Sequence, residues 1–168
     1  MIDIRRIEPH EWPTYRVLRL RSLQDSPDAF GSTYALEASR PDDLWAARIR
    51  DGATSGKDLA LFARIDDEPC GLVWCKITAD DPAVANLYQM WVAPERRRQG
   101  VGARLLTEAI GWATRAGATV LRLGVTAAES PAVRLYSAHG FVEVGALEPL
   151  RAGSPLTAKT MERALRTA

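Results

Sequence analysis

"VANLYQMWVAPERRRQGVGARLL", residues 84–106, decides how this chain folds. Its first nine residues are rich in apolar and aromatic side chains and read as a strand ending at Val92. Three arginines follow, Arg96 to Arg98, and then Gly100-Val101-Gly102. Beyond them Gly102, Leu106, Ala109, Ile110 and Ala113 fall on one helical face, and Gly117 can end that helix as a left-handed cap. A strand that turns through glycine into a helix forms an anion site. The first N–H groups of the helix lack carbonyl partners, and its dipole adds partial positive charge. Glycine lets the backbone approach a phosphate with no Cβ in the way, and arginine supplies charge and donors. A short basic run alone is ordinarily a solvated turn, so the meaning of this one depends on its neighbours.

Working outward, "IDIRRI" (2–7) alternates like an opening strand, and "EWPTYRVLRLRSLQ" reads as a helix with Pro13 in its first turn. "DSPDAFGS" (25–32) carries turn residues and reads as a loop. "PDDLWAARIR" starts a second helix, and "GATSG" (52–56) reads as a linker. "LALFARI" and "CGLVWCKI" flank "DDEP" as a hairpin. After the central helix, "TVLRLGV" (119–125) is a strand and "SPAVRLYSAHG" (130–140) a short helix. "FVEVGAL" (141–147) and "LTAKTMERAL" (156–165) close the chain as strands. The expected order is β-α-α-β-β-β-α-β-α-β-β: a mixed α/β fold with a twisted sheet of about seven strands and four main helices. No composition shift marks a boundary, so residues 1–168 are expected to form one domain.

The bulk numbers exclude several classes. A net charge of +1 creates no global field for a nucleic-acid or membrane partner. No run reaches transmembrane length, and "MIDIRRIEPHEW" has no apolar signal core, so a cytoplasmic location is expected. Cys70 and Cys75, five apart in a strand, should point to opposite faces as buried hydrophobes. His10 and His139 have no partner at ligand spacing, so no metal site is expected. The turn is not a P-loop, because no Gly-Lys-Ser/Thr follows it. A Rossmann reading is weak: position 105 is Leu where a third glycine belongs.

Two motifs carry a more specific resemblance. "RRQGVGA" fits the Arg/Gln-x-x-Gly-x-Gly/Ala pattern of the GNAT superfamily of N-acetyltransferases, with Arg97, Gly100 and Gly102 at the patterned positions. "AVRLYSAHGF" (132–141) fits the family's second pattern, Ala-x-x-Leu-Tyr-x-x-x-Gly-Phe, in the right order. The chain therefore resembles that superfamily, well over 60–165 and by topology in its opening helices. The resemblance implies acetyl-coenzyme A as cosubstrate, with its pyrophosphate cradled by Arg97, Arg98, Gln99, Gly100, Val101, Gly102 and Ala103. It implies that the strand ending at Val92 splays from "TVLRLGV" and pairs with the pantetheine amides. A backbone N–H near Met90, Trp91 or Val92 would then polarise the thioester carbonyl. Tyr136 stands where the family often carries the proton donor for the leaving thiolate. Two roles stay open for it: general acid, or a core residue that only hydrogen-bonds the sulfur.

The chain departs from the pattern at one place. Many members carry Asn three residues before the motif's Ala132, and here that position is Glu129, which cannot donate when ionised. Ser130 is either a substitute contact or a plain helix cap. The strand ending at Val92 contains no carboxylate to act as base; the candidates are Glu37 in the loop after the first helix, or no side chain at all, with bulk water taking the proton or a substrate already deprotonated. Trp12, Tyr15, Phe30, Tyr34, Trp45 and Trp91 either wall an acceptor pocket or pack helices on the sheet. The acceptor implied is a primary amine of a small molecule or peptide, and a homodimer stays open. The competing reading is a non-catalytic acyl-CoA-binding or regulatory module, supported by the absent strand carboxylate and by Glu129.

Overall fold

The computed structural model describes residues 1–166. Seven strands form one sheet in the order β1-β2-β3-β4-β5-β7-β6. They are β1 (Ile2–Arg6), β2 (Asp58–Ile65), β3 (Glu68–Ile77), β4 (Val84–Val92), β5 (Val120–Thr126), β6 (Val142–Pro149) and β7 (Thr157–Ala164). Every neighbouring pair is antiparallel except β4 and β5. The helices are α1 (Trp12–Asp25), α2 (Tyr34–Ala38), α3 (Asp42–Thr54), α4 (Val101–Arg115) and α5 (Pro131–Ala138). No helix among the described residues is long and apolar enough to cross a membrane.

Helices cover both faces of the sheet. Gly71 and Trp74 of β3 are three residues apart, so they point to opposite faces. A Cβ on Gly71 would lie 3.2 Å from Leu105 of α4. The Trp74 ring meets Tyr15 of α1, with centroids 5.8 Å apart, and leaves no room for a side chain at Gly52 of α3. The β2–β3 turn places both Asp66 and Asp67 at positive φ, as a two-residue hairpin requires.

Three expectations change in detail. The fold contains five helices rather than four, because "YALEA" forms α2, one short helix capped by Thr33 Oγ1 accepting from Leu36 N–H at 3.3 Å. "GATSG" is not all linker: α3 runs through Gly52 to Thr54. Gly52 is tolerated inside that helix because a Cβ would stand 2.7 Å from Trp74 Cζ2. The buried face of α4 is Val101, Leu105, Leu106, Ala109, Trp112 and Ala113, with Gly102 and Ile110 only half-buried at its margin. Cys70 and Cys75 are both buried free thiols.

The feature that shapes the site is a split between the two parallel strands. Pairing of β4 with β5 covers only Val84–Leu87 against Val120–Leu123. On the other side of β4, Leu72 pairs with Trp91 and Trp74 with Tyr88. Gln89 and Met90 therefore stand opposite the single residue Val73, and Gln89 takes φ 61°. This is a β-bulge, which bends the strand and increases its twist. Beyond it β4 runs on to Val92 with no strand on its β5 side.

Candidate active site

The cleft between the diverging strands leads to the turn after Val92. Ala93 N–H donates to Cys70 O at 2.7 Å, which holds the end of β4 on β3. A single 3-10 turn follows at Pro94–Arg96. Arg98 then takes φ 65° and Gly100 φ 86° before α4 begins at Val101. Arg104 N–H is the first of α4 to find a carbonyl, that of Gly100 at 3.1 Å. The N–H groups of Arg98, Gln99, Gly100, Val101, Gly102 and Ala103 find no backbone acceptor among the described residues. Six successive donors curl around one helix N-terminus, the arrangement that binds a phosphate.

The two glycines do different work. Gly100 has a left-handed backbone, and a Cβ there would meet nothing within 4 Å. The space above it is open. Gly102 is a packing residue: its Cβ would come 3.2 Å from Leu135 Cδ2 of α5 and 3.8 Å from Val92 Cγ2. A groove of ≈ 330 Å³ continues beside the turn, lined by Ile2, Gln99, Gly100, Ala103, Arg104, Thr107 and Glu108.

Arg97, a patterned residue of the turn, has side-chain partners within the protein. The residue is exposed, and its guanidinium is tied at the surface: Nε donates to Val92 O at 2.9 Å, and Nη2 donates to Asp25 Oδ2 at 2.7 Å. The side chain braces the turn, and the donors open to an anion are the backbone N–H groups together with the exposed Arg98 guanidinium. Arg98 and Gln99 are exposed. The Gln99 amide donates to Glu95 O at 3.3 Å.

On the far side of the cleft, Ser130 Oγ accepts from Val133 N–H at 3.2 Å, so Ser130 caps α5, and Pro131 fills its first turn. Ala132 is exposed in that turn. Glu129 is exposed and lies 3.6 Å from Arg134. Tyr136 is 5% exposed, with its ring 5.8 Å from that of Phe141. Burial pushes the Tyr136 phenol well above its ordinary value, and the Cys75 thiol adds to the shift. The group therefore stays protonated at neutral pH and can donate a hydrogen bond.

Glu37 is not placed as a general base. It lies on α2, is 2% exposed, and accepts from Arg19 Nε at 3.0 Å and Arg19 Nη2 at 2.8 Å. Arg40 stands 3.4 Å away. Burial alone would raise the carboxyl's pKa, but hydrogen bonds from Arg19 and the charges of both arginines outweigh it and hold the group below its usual range. A carboxylate clamped by a bidentate guanidinium is a poor proton acceptor, and its partners tie α1 to α2.

Sequence reasoning missed two contacts. Tyr15 Oη donates to Gln89 Oε1 at 2.7 Å, fixing the bulge residue from α1. Burial raises the Tyr15 phenol against the opposing charges of Arg48 and Arg19, so it remains a donor. Arg151, in the loop between β6 and β7, donates to Phe30 O at 2.6 Å and Pro27 O at 3.3 Å. The α1–α2 loop and the β6–β7 loop are thus joined. A hollow of ≈ 410 Å³ lies between them, lined by Asp28 and residues 151–156. No local signal marks either contact, because the partners lie 74 and 121 residues apart.

Comparison with known proteins places this architecture. The model of the acetyltransferase (GNAT) family matches residues 6–141. The chain belongs to that family. An uncharacterized N-acetyltransferase of Archaeoglobus fulgidus is 30% identical over 130 residues, covering 71% of this chain and 88% of that protein. A mycothiol acetyltransferase of Stackebrandtia nassauensis is 30% identical over 122 residues, but the match spans only 37% of that longer protein. The fold is also that of a putative acetyltransferase from Salmonella typhimurium solved with its cofactor acetyl-CoA. The two superpose with a TM-score of 0.81 at 17% identity, covering 99% of this chain and 95% of the other.

Proposed function

We propose that this GNAT protein is a cytoplasmic, acetyl-CoA-dependent N-acetyltransferase that moves an acetyl group directly to a primary amine of a small molecule or peptide. One observation carries the reading: the unpaired edge of β4 runs from six unpartnered N–H donors toward the helix that bears a buried, protonated tyrosine. The residues present fit the cosubstrate. The turn offers N–H groups and clear space at Gly100 for a pyrophosphate. The β4 edge offers backbone groups to pantetheine amides, as an added strand would. The groove beside Gly100 and Arg104 continues from the pyrophosphate position.

Acetyl-CoA supplies an activated acyl group; the chain's residues supply orientation and donors. A β4 N–H between Met90 and Val92 polarises the acyl carbonyl and stabilises negative charge on its oxygen. Tyr136 donates a hydrogen bond to the departing sulfur. Its raised pKa favours donation over complete proton transfer, so the second of the two roles left open by the sequence is the better supported. Glu129 is exposed beside Arg134 and offers no donor of its own, which leaves the α5 end of the cleft to Ser130 and to backbone. With Glu37 neutralised by arginine, the ammonium proton leaves to water near the Tyr15–Gln89 pair.

The lack of a free carboxylate at the bulge also favours a second reading, a binding module without turnover. Thermal shift with acetyl-CoA and with ATP, followed by thiol release across a panel of amines, separates the two. A shift with acetyl-CoA and thiol release with at least one amine supports the enzyme. A shift without release across the panel supports the module. A shift with ATP alone refutes both.

A further inference from the structure

The end of α1 is fastened to the turn after Val92 by a compact polar cluster. Asp25 Oδ2 accepts three hydrogen bonds, from Arg97 Nη2 at 2.7 Å, Trp91 Nε1 at 3.0 Å and Ser26 Oγ at 2.7 Å. Arg97 Nε donates in turn to Val92 O, the last carbonyl of β4, at 2.9 Å. Trp91 is buried, and the Arg21 guanidinium lies over its ring, 5.4 Å from the centroid. A second ion pair, Arg21 with Glu95, lies alongside but is exposed at both ends. Asp25 is 72 residues from Arg97 and belongs to neither sequence motif.

We propose that Asp25 is a positioning residue for cosubstrate binding: through Arg97 it sets the orientation of the turn whose N–H groups hold the pyrophosphate. This rests on the reading of that turn as the acetyl-CoA cradle. The argument is geometric. Arg97 bridges two fixed points, the carboxylate on α1 and the carbonyl at the end of β4. The next residue must adopt a positive φ, and the N–H groups that follow diverge unless that bend is held. Hydrogen bonds from Ser26, Trp91 and Arg97 lower the Asp25 pKa despite the opposing effect of burial, so the group is ionised when the site works.

The sign of the effect separates positioning from simple electrostatics. Removing a carboxylate close to an anion site should tighten anion binding, since like charges repel. If Arg97 were itself a phosphate ligand held back by Asp25, Asp25→Ala would free it and also tighten binding. Positioning requires the opposite outcome: Asp25→Ala weakens acetyl-CoA binding.

The test is isothermal titration of acetyl-CoA into the full chain and into Asp25→Ala, Asp25→Asn, Arg97→Ala and the Asp25→Ala/Arg97→Ala double variant. We expect each alanine variant to lose tenfold or more in affinity, the double variant to lose no more than the worse single, and Asp25→Asn to retain part of the binding. Acetyl-pantetheine, which lacks the pyrophosphate, should bind wild type and Asp25→Ala with equal affinity on this reading, measured by the same titration. An equal loss with both donors would mark general damage and overturn the proposal. Unchanged or tighter binding in Asp25→Ala, or additive losses in the double variant, would also overturn it. Glu95→Gln removes a charge from the same turn while leaving Arg97 in place, and should bind as tightly as wild type or more so; a loss matching Asp25→Ala would refute the assignment. Failure of the wild-type chain to bind acetyl-CoA refutes the cradle reading, and this one with it.

Discussion

Replacing Gly100 by alanine separates what the turn does for folding from what it does for binding, because the same helix carries its own control. Gly100 precedes α4 with φ 86°, and Gly117 follows it with φ 89°. At both, a new Cβ would meet nothing within 4 Å. The steric cost is therefore nil, and both substitutions impose only left-handed strain, about 1–2 kcal/mol for an L-residue. A domain of 150–250 residues loses roughly 2–4 °C in Tm per kcal/mol, so each variant should melt about 2–8 °C below wild type. Binding should distinguish them. Alanine at Gly100 places a methyl where a phosphate oxygen would approach, and relaxation toward a right-handed φ swings the Val101 N–H away. Loss of one hydrogen bond to a charged group costs about 1.5–3 kcal/mol, or roughly 10- to 150-fold in Kd at 1.4 kcal/mol per decade. Differential scanning fluorimetry gives the first quantity and titration calorimetry with acetyl-CoA the second. Gly117→Ala should bind as wild type does. If Gly100→Ala binds acetyl-CoA normally while losing the same stability, the turn does not hold the cosubstrate; if both variants lose affinity alike, the effect is one of stability alone.

Two further outcomes follow from the buried ionisable groups. Tyr136→Phe keeps the packing against Phe141 and removes the donor, so kcat should fall roughly 10- to 150-fold, the loss of one hydrogen bond of about 1.5–3 kcal/mol to a developing thiolate, with little change in Kd for acetyl-CoA; unchanged kcat would leave Tyr136 a packing residue. Glu37→Gln should destabilise the fold by roughly 3–5 kcal/mol, because Arg19 is left buried with a neutral partner. The Glu37 carboxyl has a lowered folded-state pKa. Its stabilisation is therefore fully present above the unfolded value of about 4.3 and disappears as pH falls through the folded one. Urea unfolding between about pH 6 and pH 2 should show that loss in wild type and a flatter profile in the variant. The pH dependence of kcat should be the same in both, and a displaced acid limb would restore Glu37 as the base.

Much of the fold was legible because its signals are local. Strand alternation, the glycine that ends α4, Ser130 and Pro131 at the head of α5, and both family motifs all lie within windows of about ten residues. The misses have physical causes. The five residues of α2 are too few for periodicity to register, and the helix persists because Glu37 is tied to α1. Gly52 reads as a breaker until Trp74 is seen to occupy the space of its side chain. Leu105 and Trp112 fell outside the expected face of α4 because that helix presents a wide apolar stripe to the sheet, with Gly102 at its margin against α5.

The sequence by itself determined the family and the glycine turn that opens α4, since each is carried by short runs of adjacent residues; which strands pair, including the parallel β4–β5 pair, came from the structure. The tertiary structure decided how the charged side chains are used. Arg97, one of three consecutive arginines, stays exposed but is held to the fold, because Asp25 and the end of β4 lie where its guanidinium can reach both. Glu37 is spent on Arg19. A guanidinium or carboxylate takes whichever partner the fold brings within about 3 Å, and those partners come from other elements of the chain.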